Sequence, residues 1–214
     1  KKIYVGKRED KHSVTQETIH MIIIEEAQKG QKVVRLKGGD PFMFGRGGEE
    51  VIALADANIP FEVIPGITSG LGAAASFGIP LTHRDDATST LFITGHQCGS
   101  EELHDWETLA KLNSTLIFYM GVKRLSIIVT GLVKNGKSKD TPIAIIQNAT
   151  MLSQKIVTST LGSIVKDTRY KKPMTPAIII IGNVVNYHSK MQECLDLLPS
   201  ERVEPIGDMG FDIW

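Results

Sequence analysis

The chain has 214 residues, of which 42% are hydrophobic and 22% charged, a composition typical of a globular protein with one large or two small domains. The chain has 24 Lys and Arg residues and 24 Asp and Glu residues, so its net charge does not favour binding to nucleic acid. An anionic ligand therefore requires a local cluster of basic side chains. Cys98 and Cys194 form no disulfide or zinc pattern, and the longest apolar run, 177–181, is too short to span a membrane. We therefore expect a cytoplasmic protein that needs no metal and binds neither nucleic acid nor membrane.

The first part of the chain predicts alternating helices and strands. A helix at 13–30 has Ser13 as its N-cap, Gln16 three residues later and Gly30 as its stop. Its apolar stripe consists of Ile19, Ile22, Ile23 and Ala27. Strands are predicted at 33–36, 61–64, 91–94 and 115–119, and helices at 48–57, 69–77 and 106–112. Alternation of this kind is typical of parallel α/β layers.

The second part predicts a helix at 122–135, followed by strands of a second sheet at 143–146, 155–159 and 177–181. We therefore predict an amino-terminal α/β domain at 1–120 and a carboxyl-terminal α/β domain at 121–190. The tail at 191–214 mixes Pro and Gly with a few apolar residues, and we expect it to be poorly ordered or to add one terminal element.

A glycine-rich turn separates the strand predicted at 33–36 from the following helix. Residues 36–50 read Leu-Lys-Gly-Gly-Asp-Pro-Phe-Met-Phe-Gly-Arg-Gly-Gly-Glu-Glu. Glycine at this density suits main chain that approaches something closely. Asp40, two phenylalanines and Arg46 add recognition chemistry that a spacer does not need, although an ordinary strand-to-helix loop is the alternative. We predict that a ligand binds at this turn.

The turn resembles the Gly-Gly-Asp-Pro loop of uroporphyrinogen III C-methyltransferases, within the wider tetrapyrrole methylase family. Further segments occur in that family's order and approximate spacing, from residue 1 to about 188. They are Val5-Gly6-Lys7-Arg8, Pro65-Gly66-Ile67-Thr68-Ser69, Gly78-Ile79-Pro80-Leu81-Thr82-His83-Arg84-Asp85, Thr94-Gly95-His96, Tyr119-Met120-Gly121 and Pro176-Ala177-Ile178-Ile179-Ile180-Ile181-Gly182. Segments in a fixed order are far more specific than a lone glycine loop.

The resemblance implies two α/β domains that hold S-adenosylmethionine between them, and a homodimer. It implies methylation of the tetrapyrrole uroporphyrinogen III at C2 and C7 to give precorrin-2 for siroheme or cobalamin, with S-adenosylhomocysteine as the other product. In the family, a first strand and a Gly-x-Gly-Pro-Gly-Asp loop precede the position of Lys1, so we expect these to be missing here.

The resemblance also assigns cofactor-binding positions. In the glycine-rich turn they are Gly38, Gly39, Asp40 and Met43, with Asp40 offering a carboxylate. Further along they are Thr68, Ser69, Met120 and Ala149. By residue type alone, Thr68 and Ser69 equally suit a helix cap, and Met120 suits a core. The family has glycine where this chain has Ala149, which is costly only if φ there is positive.

A polycarboxylate substrate requires basic side chains, and the matched segments offer Arg8, Arg46, His83 and Arg84. A local ion pair with Asp85 and Asp86 is an equal alternative for Arg84. Lys7 matches a proposed proton donor of the family and is our catalytic candidate, although a clamp on a substrate carboxylate explains it equally well. Single histidines such as His12 and His96 fit structural roles.

Three other functions remain open. One is a methyltransferase of the same fold that acts on a later precorrin, and another is a protein methyltransferase like diphthine synthase. The third is a binding module for the cofactor without catalysis. The full loop at 38–50 and the Thr-His-Arg-Asp segment favour uroporphyrinogen III.

Overall fold

The structure, a computed structural model, describes residues 1–6, 14–95, 104–169 and 173–195. The chain divides between Gly66 and Ile67 into two compact units. The first unit contains helices α1 (Gln16–Gln28) and α2 (Gly47–Asp56). The helices of the second unit are α3 (Ser69–Ser76), α4 (Trp106–Lys111), α5 (Leu125–Lys134), α6 (Ile164–Asp167) and α7 (Tyr187–Leu195). Its strands are β1 (Thr90–Thr94), β2 (Thr115–Tyr119), β3 (Pro142–Gln147), β4 (Lys155–Thr160) and β5 (Ala177–Ile181).

Helix α1 confirms the helix predicted in the first thirty residues, with ends two or three residues further in. Thr15 is the N-cap, and its hydroxyl accepts a hydrogen bond from the amide of Thr18 at 3.2 Å. The predicted cap, Ser13, lies outside the described residues. The helix ends before Gly30, whose positive φ of 75° suits glycine.

The strands predicted at 33–36 and 61–64 do not form. Both segments lack regular secondary structure and form no ladder hydrogen bonds to any described residue. Their apolar side chains are largely exposed, with Val34 at 79% and Ile64 at 68%. A strand requires a neighbouring strand, and apolar pattern alone does not reveal whether one is present.

The second unit is built on a five-stranded mixed sheet with the order β1-β2-β5-β3-β4. Strands β1 and β2 are parallel, whereas β5 runs antiparallel to both β2 and β3, and β3 runs antiparallel to β4. Parallel layers were predicted for the first part of the chain, and β1 and β2, the two strands of that part that form, are parallel. The antiparallel direction of β3, β4 and β5 was not predicted. The connection at 148–154 is too short for a crossover, so β3 and β4 must form a hairpin.

The core of the second unit lies on the two faces of this sheet. On one face, Phe118 and Ile145 are fully buried with Ile128 and Leu132 of α5. On the other face, α3 packs so closely that a Cβ on Gly70 would lie 3.1 Å from a methyl of Ile117. This packing brings the amino-terminal end of α3 to the end of β2.

The predicted domain boundary after residue 120 differs from this arrangement. Strands β1 and β2 precede that boundary, yet they belong to the same sheet as β3, β4 and β5. The compact units divide at Gly66 instead. Local pattern identified the strands but not their shared sheet, because strand pairing is a long-range property.

Candidate functional site

The carboxylate of Asp40 is used by the main chain around it. Its Oδ1 accepts hydrogen bonds from the amides of Phe42 (2.9 Å) and Met43 (3.1 Å), and its Oδ2 accepts one from the amide of Gly66 (3.2 Å). These donors, that of Gly66 first, lower the pKa of Asp40 below its usual value. Asp40 therefore fixes the shape of the loop at 38–47, which we call the glycine loop, and ties it to Gly66.

Close packing explains several glycines of this region. A Cβ on Gly47 would collide with the carbonyl oxygen of Pro41, which accepts the Gly47 amide at 2.9 Å, and a Cβ on Gly45 would lie 2.7 Å from the same oxygen. A Cβ on Gly66 would lie 3.0 Å from the carbonyl group of Gly39. These glycines allow main-chain segments of the protein to pack against each other, so the close approach that was predicted there occurs between parts of the chain itself.

Gly38 differs from these glycines. Apart from its two chain neighbours, no atom of the described residues lies within 4 Å of the position that its Cβ would take, and its φ is not positive. Neither steric crowding nor backbone conformation within the fold requires glycine there. The missing side chain of Gly38 thus leaves open space beside the main chain of the loop.

Two residues of the loop have left-handed backbone, Phe44 with φ 52° and Arg46 with φ 56°. Arg46 precedes α2 and forms a two-pronged ion pair with Glu49, with Nε–Oε1 at 2.8 Å and Nη2–Oε2 at 2.6 Å. Both side chains are about half exposed. Arg46, predicted to bind substrate, therefore already has a carboxylate partner, and a substrate carboxylate would have to compete with Glu49.

A buried charge cluster beneath the loop was not predicted. Glu50 accepts hydrogen bonds from Lys37 at 2.8 Å, from Arg35 at 3.1 Å and from Gln16 of α1 at 3.2 Å. Burial raises the pKa of Glu50, but Lys37 and Arg35 outweigh it, and the net pKa is lowered. Lys37 immediately precedes Gly38, so the cluster anchors the start of the glycine loop.

In the second unit, Thr68 and Ser69 begin α3. Thr68 occupies the N-cap position, but its side chain makes no capping hydrogen bond. Its hydroxyl instead lies 2.6 Å from the hydroxyl of Tyr119, which also accepts the amide of Gly70 at 2.8 Å. Thr68 is buried, whereas Ser69 is exposed. The structure thus brings the Thr-Ser pair to the residue that precedes Met120.

Met120 is not core filler, because 54% of it is exposed. Its backbone is left-handed, with φ 54°. The carbonyl of Tyr119 accepts the amide of Gly95 at 2.6 Å, and a Cβ on Gly95 would lie 2.5 Å from the Cα of Gly121. The neighbours of Met120 are therefore fixed while its side chain faces solvent.

Ala149 lies in the turn after β3, between two left-handed residues, Asn148 with φ 45° and Thr150 with φ 69°. Ala149 itself does not have positive φ, so the change from the family's glycine carries no backbone strain. A Cβ on Gly72 of α3 would lie 3.9 Å from a methyl of Thr150. The turn thus lies beside the helix that Thr68 begins.

His83 and Arg84 lie in the turn before β1. His83 Nδ1 lies 3.1 Å from the Tyr187 hydroxyl and within 4 Å of carboxylate oxygens of Asp85 and Asp86. Asp86, by hydrogen bonding, raises the pKa of Tyr187. Arg84 is exposed and forms none of the ion pairs found among the described residues. The carboxylates of Asp85 and Asp86 lie near His83, so the local ion pair that was the alternative for Arg84 does not form.

Lys7 and Arg8 lie outside the described residues, as do His12 and His96. Within the described ranges, no three His, Cys, Asp or Glu side chains form a group suited to a metal ion. No helix in the same ranges is both long and apolar enough to cross a bilayer.

Tyr119, Glu50 and Tyr187 were not predicted as site residues. Tyr119 and Glu50 had a signal in the sequence, their places in the Tyr-Met-Gly segment and in the segment at 36–50, whereas Tyr187 had none.

Comparisons with known proteins find the same family that the matched sequence segments indicate. The family model for tetrapyrrole (corrin/porphyrin) methylases matches residues 2–165. A uroporphyrinogen-III C-methyltransferase of Bacillus subtilis is 49% identical over 89% of this chain and 74% of its own length. A siroheme synthase of Actinobacillus pleuropneumoniae is 48% identical over 95% of this chain. This chain spans only 40% of that synthase's length.

A solved structure is also similar. Uroporphyrin-III C-methyltransferase from Thermus thermophilus, complexed with S-adenosyl homocysteine, superimposes with a TM-score of 0.72 at 35% identity. The match covers 86% of this chain and 77% of that protein.

Proposed function

Because the chain belongs to the tetrapyrrole (corrin/porphyrin) methylase family, we propose that it transfers methyl groups from S-adenosylmethionine to C2 and C7 of uroporphyrinogen III, giving precorrin-2. The observation that carries this proposal is the 49% identity to a uroporphyrinogen-III C-methyltransferase over 89% of the chain. The complex of the Thermus protein with S-adenosyl homocysteine supports the choice of cofactor.

The residues of the chain fit such a cofactor. Gly38 leaves open space beside the main chain of the glycine loop, and the exposed side chains of Ser69 and Met120 provide polar and thioether contacts. When bound, the cofactor supplies a methyl group on a cationic sulfur, which an electron-rich pyrrole carbon attacks in line. We assign binding to Gly38, Gly39, Met43, Thr68, Ser69, Met120 and Ala149. Asp40 contributes by holding the loop, since three amides already use its oxygens.

These residues act by positioning. The reacting atoms must approach to about 3–3.5 Å in line, which requires fixed contacts more than proton transfer. Asp40 and the Lys37–Glu50 pair fix one segment, and the Tyr119 hydroxyl fixes another. A base is needed only for the proton that the cationic intermediate loses after the methyl group has been added. Lys7, which matches a proposed proton donor of the family, stays our catalytic candidate, with a clamp on a substrate carboxylate as the alternative.

Basic side chains would hold the carboxylates of the substrate. Arg84 is the strongest candidate, since it is exposed and outside the ion pairs of the described chain. A free guanidinium binds a carboxylate through two parallel hydrogen bonds. Arg46 would first have to release Glu49, and His83 would have to turn from Tyr187. Arg8 stays a candidate from sequence alone.

Two measurements on the 214-residue chain test the proposal. Titration calorimetry with S-adenosylhomocysteine tests cofactor binding. Transfer of labelled methyl from S-adenosylmethionine then tests the acceptor, with uroporphyrinogen III, a later precorrin and a protein acceptor supplied separately. We expect binding, and label only in uroporphyrinogen III. Label only in a later precorrin or in protein would select one of those rival activities, and binding without transfer would indicate a binding module.

Homodimeric assembly and a cytoplasmic location also stay proposals. Sedimentation equilibrium would measure the first, with a mass near twice the 23.5 kDa of the chain expected. A mass equal to one chain would contradict it. Cell fractionation would measure the second.

A further inference from the structure

We propose that Tyr119 is a positioning residue for the cofactor, a role that rests on the function proposed above. Its hydroxyl links the segment that begins α3 to the segment that carries Met120. Tyr119 is thereby assigned to set the geometry of two cofactor-binding segments at once, without touching the cofactor itself.

The first link is a pair of hydrogen bonds at one oxygen. The Tyr119 hydroxyl lies 2.6 Å from the Thr68 hydroxyl and 2.8 Å from the Gly70 nitrogen. Thr68 and Tyr119 are both almost fully buried, so little water is available to replace these bonds. The Thr68 hydroxyl is thus held away from the capping position at the start of α3.

The second link is steric. A Cβ on Gly70 would lie 2.5 Å from the Tyr119 hydroxyl oxygen, so the absence of a side chain at 70 is matched to the presence of the hydroxyl at 119. The next nearest atoms belong to Phe92 and Ile117, at 3.0 and 3.1 Å. The tyrosine hydroxyl is therefore the tightest constraint on this glycine.

The third link runs through the main chain. The Tyr119 carbonyl accepts the Gly95 amide at 2.6 Å, and the next residue, Met120, is held in left-handed backbone with its side chain exposed. A non-glycine residue keeps such a backbone only where its surroundings fix it. Tyr119 supplies two of these fixed points, its ring hydroxyl and its carbonyl.

Tyr119→Phe tests the proposal because it removes only the hydroxyl. We expect the Kd for S-adenosylhomocysteine and the KM for S-adenosylmethionine to rise about five- to tenfold, the effect of one or two lost buried hydrogen bonds. The KM for uroporphyrinogen III should not change. Calorimetry and initial rates measure these constants.

Thr168→Val is the matched control. The Thr168 side chain is also buried in the second unit, and its hydroxyl donates to the Ile164 carbonyl at 2.7 Å, which lies outside the proposed cofactor segments. We expect this variant to lose thermal stability without a change in Kd. Equal rises in Kd for both variants would reduce Tyr119 to a general structural role and overturn the proposal.

Two further variants keep the test decisive if Tyr119→Phe folds poorly. Thr68→Val leaves the ring and the Gly70 bond in place, and we expect a two- to fivefold higher Kd that adds little in the Tyr119→Phe background. Gly70→Ala should weaken binding through its clash with the hydroxyl, and the double variant Gly70→Ala with Tyr119→Phe should bind more tightly than Gly70→Ala alone.

These measurements distinguish a failure of the proposed function from a failure of the positioning role of Tyr119. Wild-type chain that binds no S-adenosylhomocysteine contradicts the proposed function. Wild-type chain that binds it, with Tyr119→Phe and Thr68→Val binding equally well, leaves the function standing and refutes the positioning role.

Discussion

Replacement of Gly38 by alanine tests whether a ligand occupies the open side of the glycine loop. Among the described residues, the added methyl meets no atom within 4 Å apart from its chain neighbours, and the backbone φ is acceptable to alanine, so the fold accommodates it. We expect the free energy of unfolding to stay equal or to rise by about 0.4–1 kcal/mol, because alanine restricts the unfolded chain. If the cofactor contacts Gly38, the methyl overpacks that contact by about 1–3 kcal/mol, a five- to 150-fold higher Kd.

Two neighbouring glycines provide matched controls. Gly48 in α2 also has open space at its Cβ position, and alanine there should stabilise the helix by about 0.5–1 kcal/mol without changing the Kd. Alanine at Gly47 would strike the Pro41 carbonyl oxygen and break the 2.9 Å hydrogen bond to it. Overpacking of about 1–3 kcal/mol and a lost bond of about 0.5–1.5 kcal/mol give about 1.5–4.5 kcal/mol of destabilisation.

Calorimetry with S-adenosylhomocysteine and thermal unfolding measure the two effects separately. For a domain of this size, the loss at Gly47 corresponds to a Tm lower by about 3–18 °C. A Gly38→Ala variant that binds with the wild-type Kd would refute the placement of the cofactor beside Gly38. A Gly47→Ala variant with the wild-type Tm would refute the closed loop described above.

Two further predictions concern charges. Glu50→Gln should destabilise the chain by about 1–3 kcal/mol at pH 7, because Lys37 loses its buried partner. The pKa of Glu50 is lowered from 4.5 in the folded chain, so its stabilisation is complete above pH 4.5 and is lost as the pH falls through the folded-state pKa. Urea unfolding should therefore give free energies of unfolding for wild type and variant that converge in acid. A constant difference down to pH 3 would contradict this. Arg84→Ala should raise the KM for uroporphyrinogen III about tenfold with an unchanged Kd for S-adenosylhomocysteine. The control Lys111→Ala, which removes an exposed ion pair with Glu107, should change neither constant. Equal effects of the two variants on KM in steady-state assays would exclude Arg84 from binding substrate.

Local sequence signals predicted most elements of the second unit. The run at 177–181 is apolar throughout and bounded by Pro176 and Gly182, and it forms the buried strand β5. Helix α1 followed from its apolar stripe and from Gly30. These signals are reliable because burial and capping depend on residues close together in the chain.

Pairing and side-chain partners required the structure. The isoleucines of β5 do not reveal that the strand runs antiparallel to β2 and β3. Arg46 and Arg84 are equally basic in the sequence, but only the structure pairs Arg46 with Glu49. Tyr119 and Thr68 are 51 residues apart, and no local pattern predicts that their hydroxyls meet.

Backbone strain gives independent support for the proposed cofactor segments. Six non-glycine residues of the described chain have positive φ, and five of them lie in those segments: Phe44, Arg46, Met120, Asn148 and Thr150. The sixth, Asn58, is of a type that adopts this conformation readily, whereas Thr150 is β-branched and is disfavoured there. Such residues cost about 1–3 kcal/mol each and persist where the surroundings fix them, most often at ligand sites. The loop glycines show no positive φ, so in this chain strain at the larger residues, more than glycine content, distinguishes the segments that we propose to bind the cofactor.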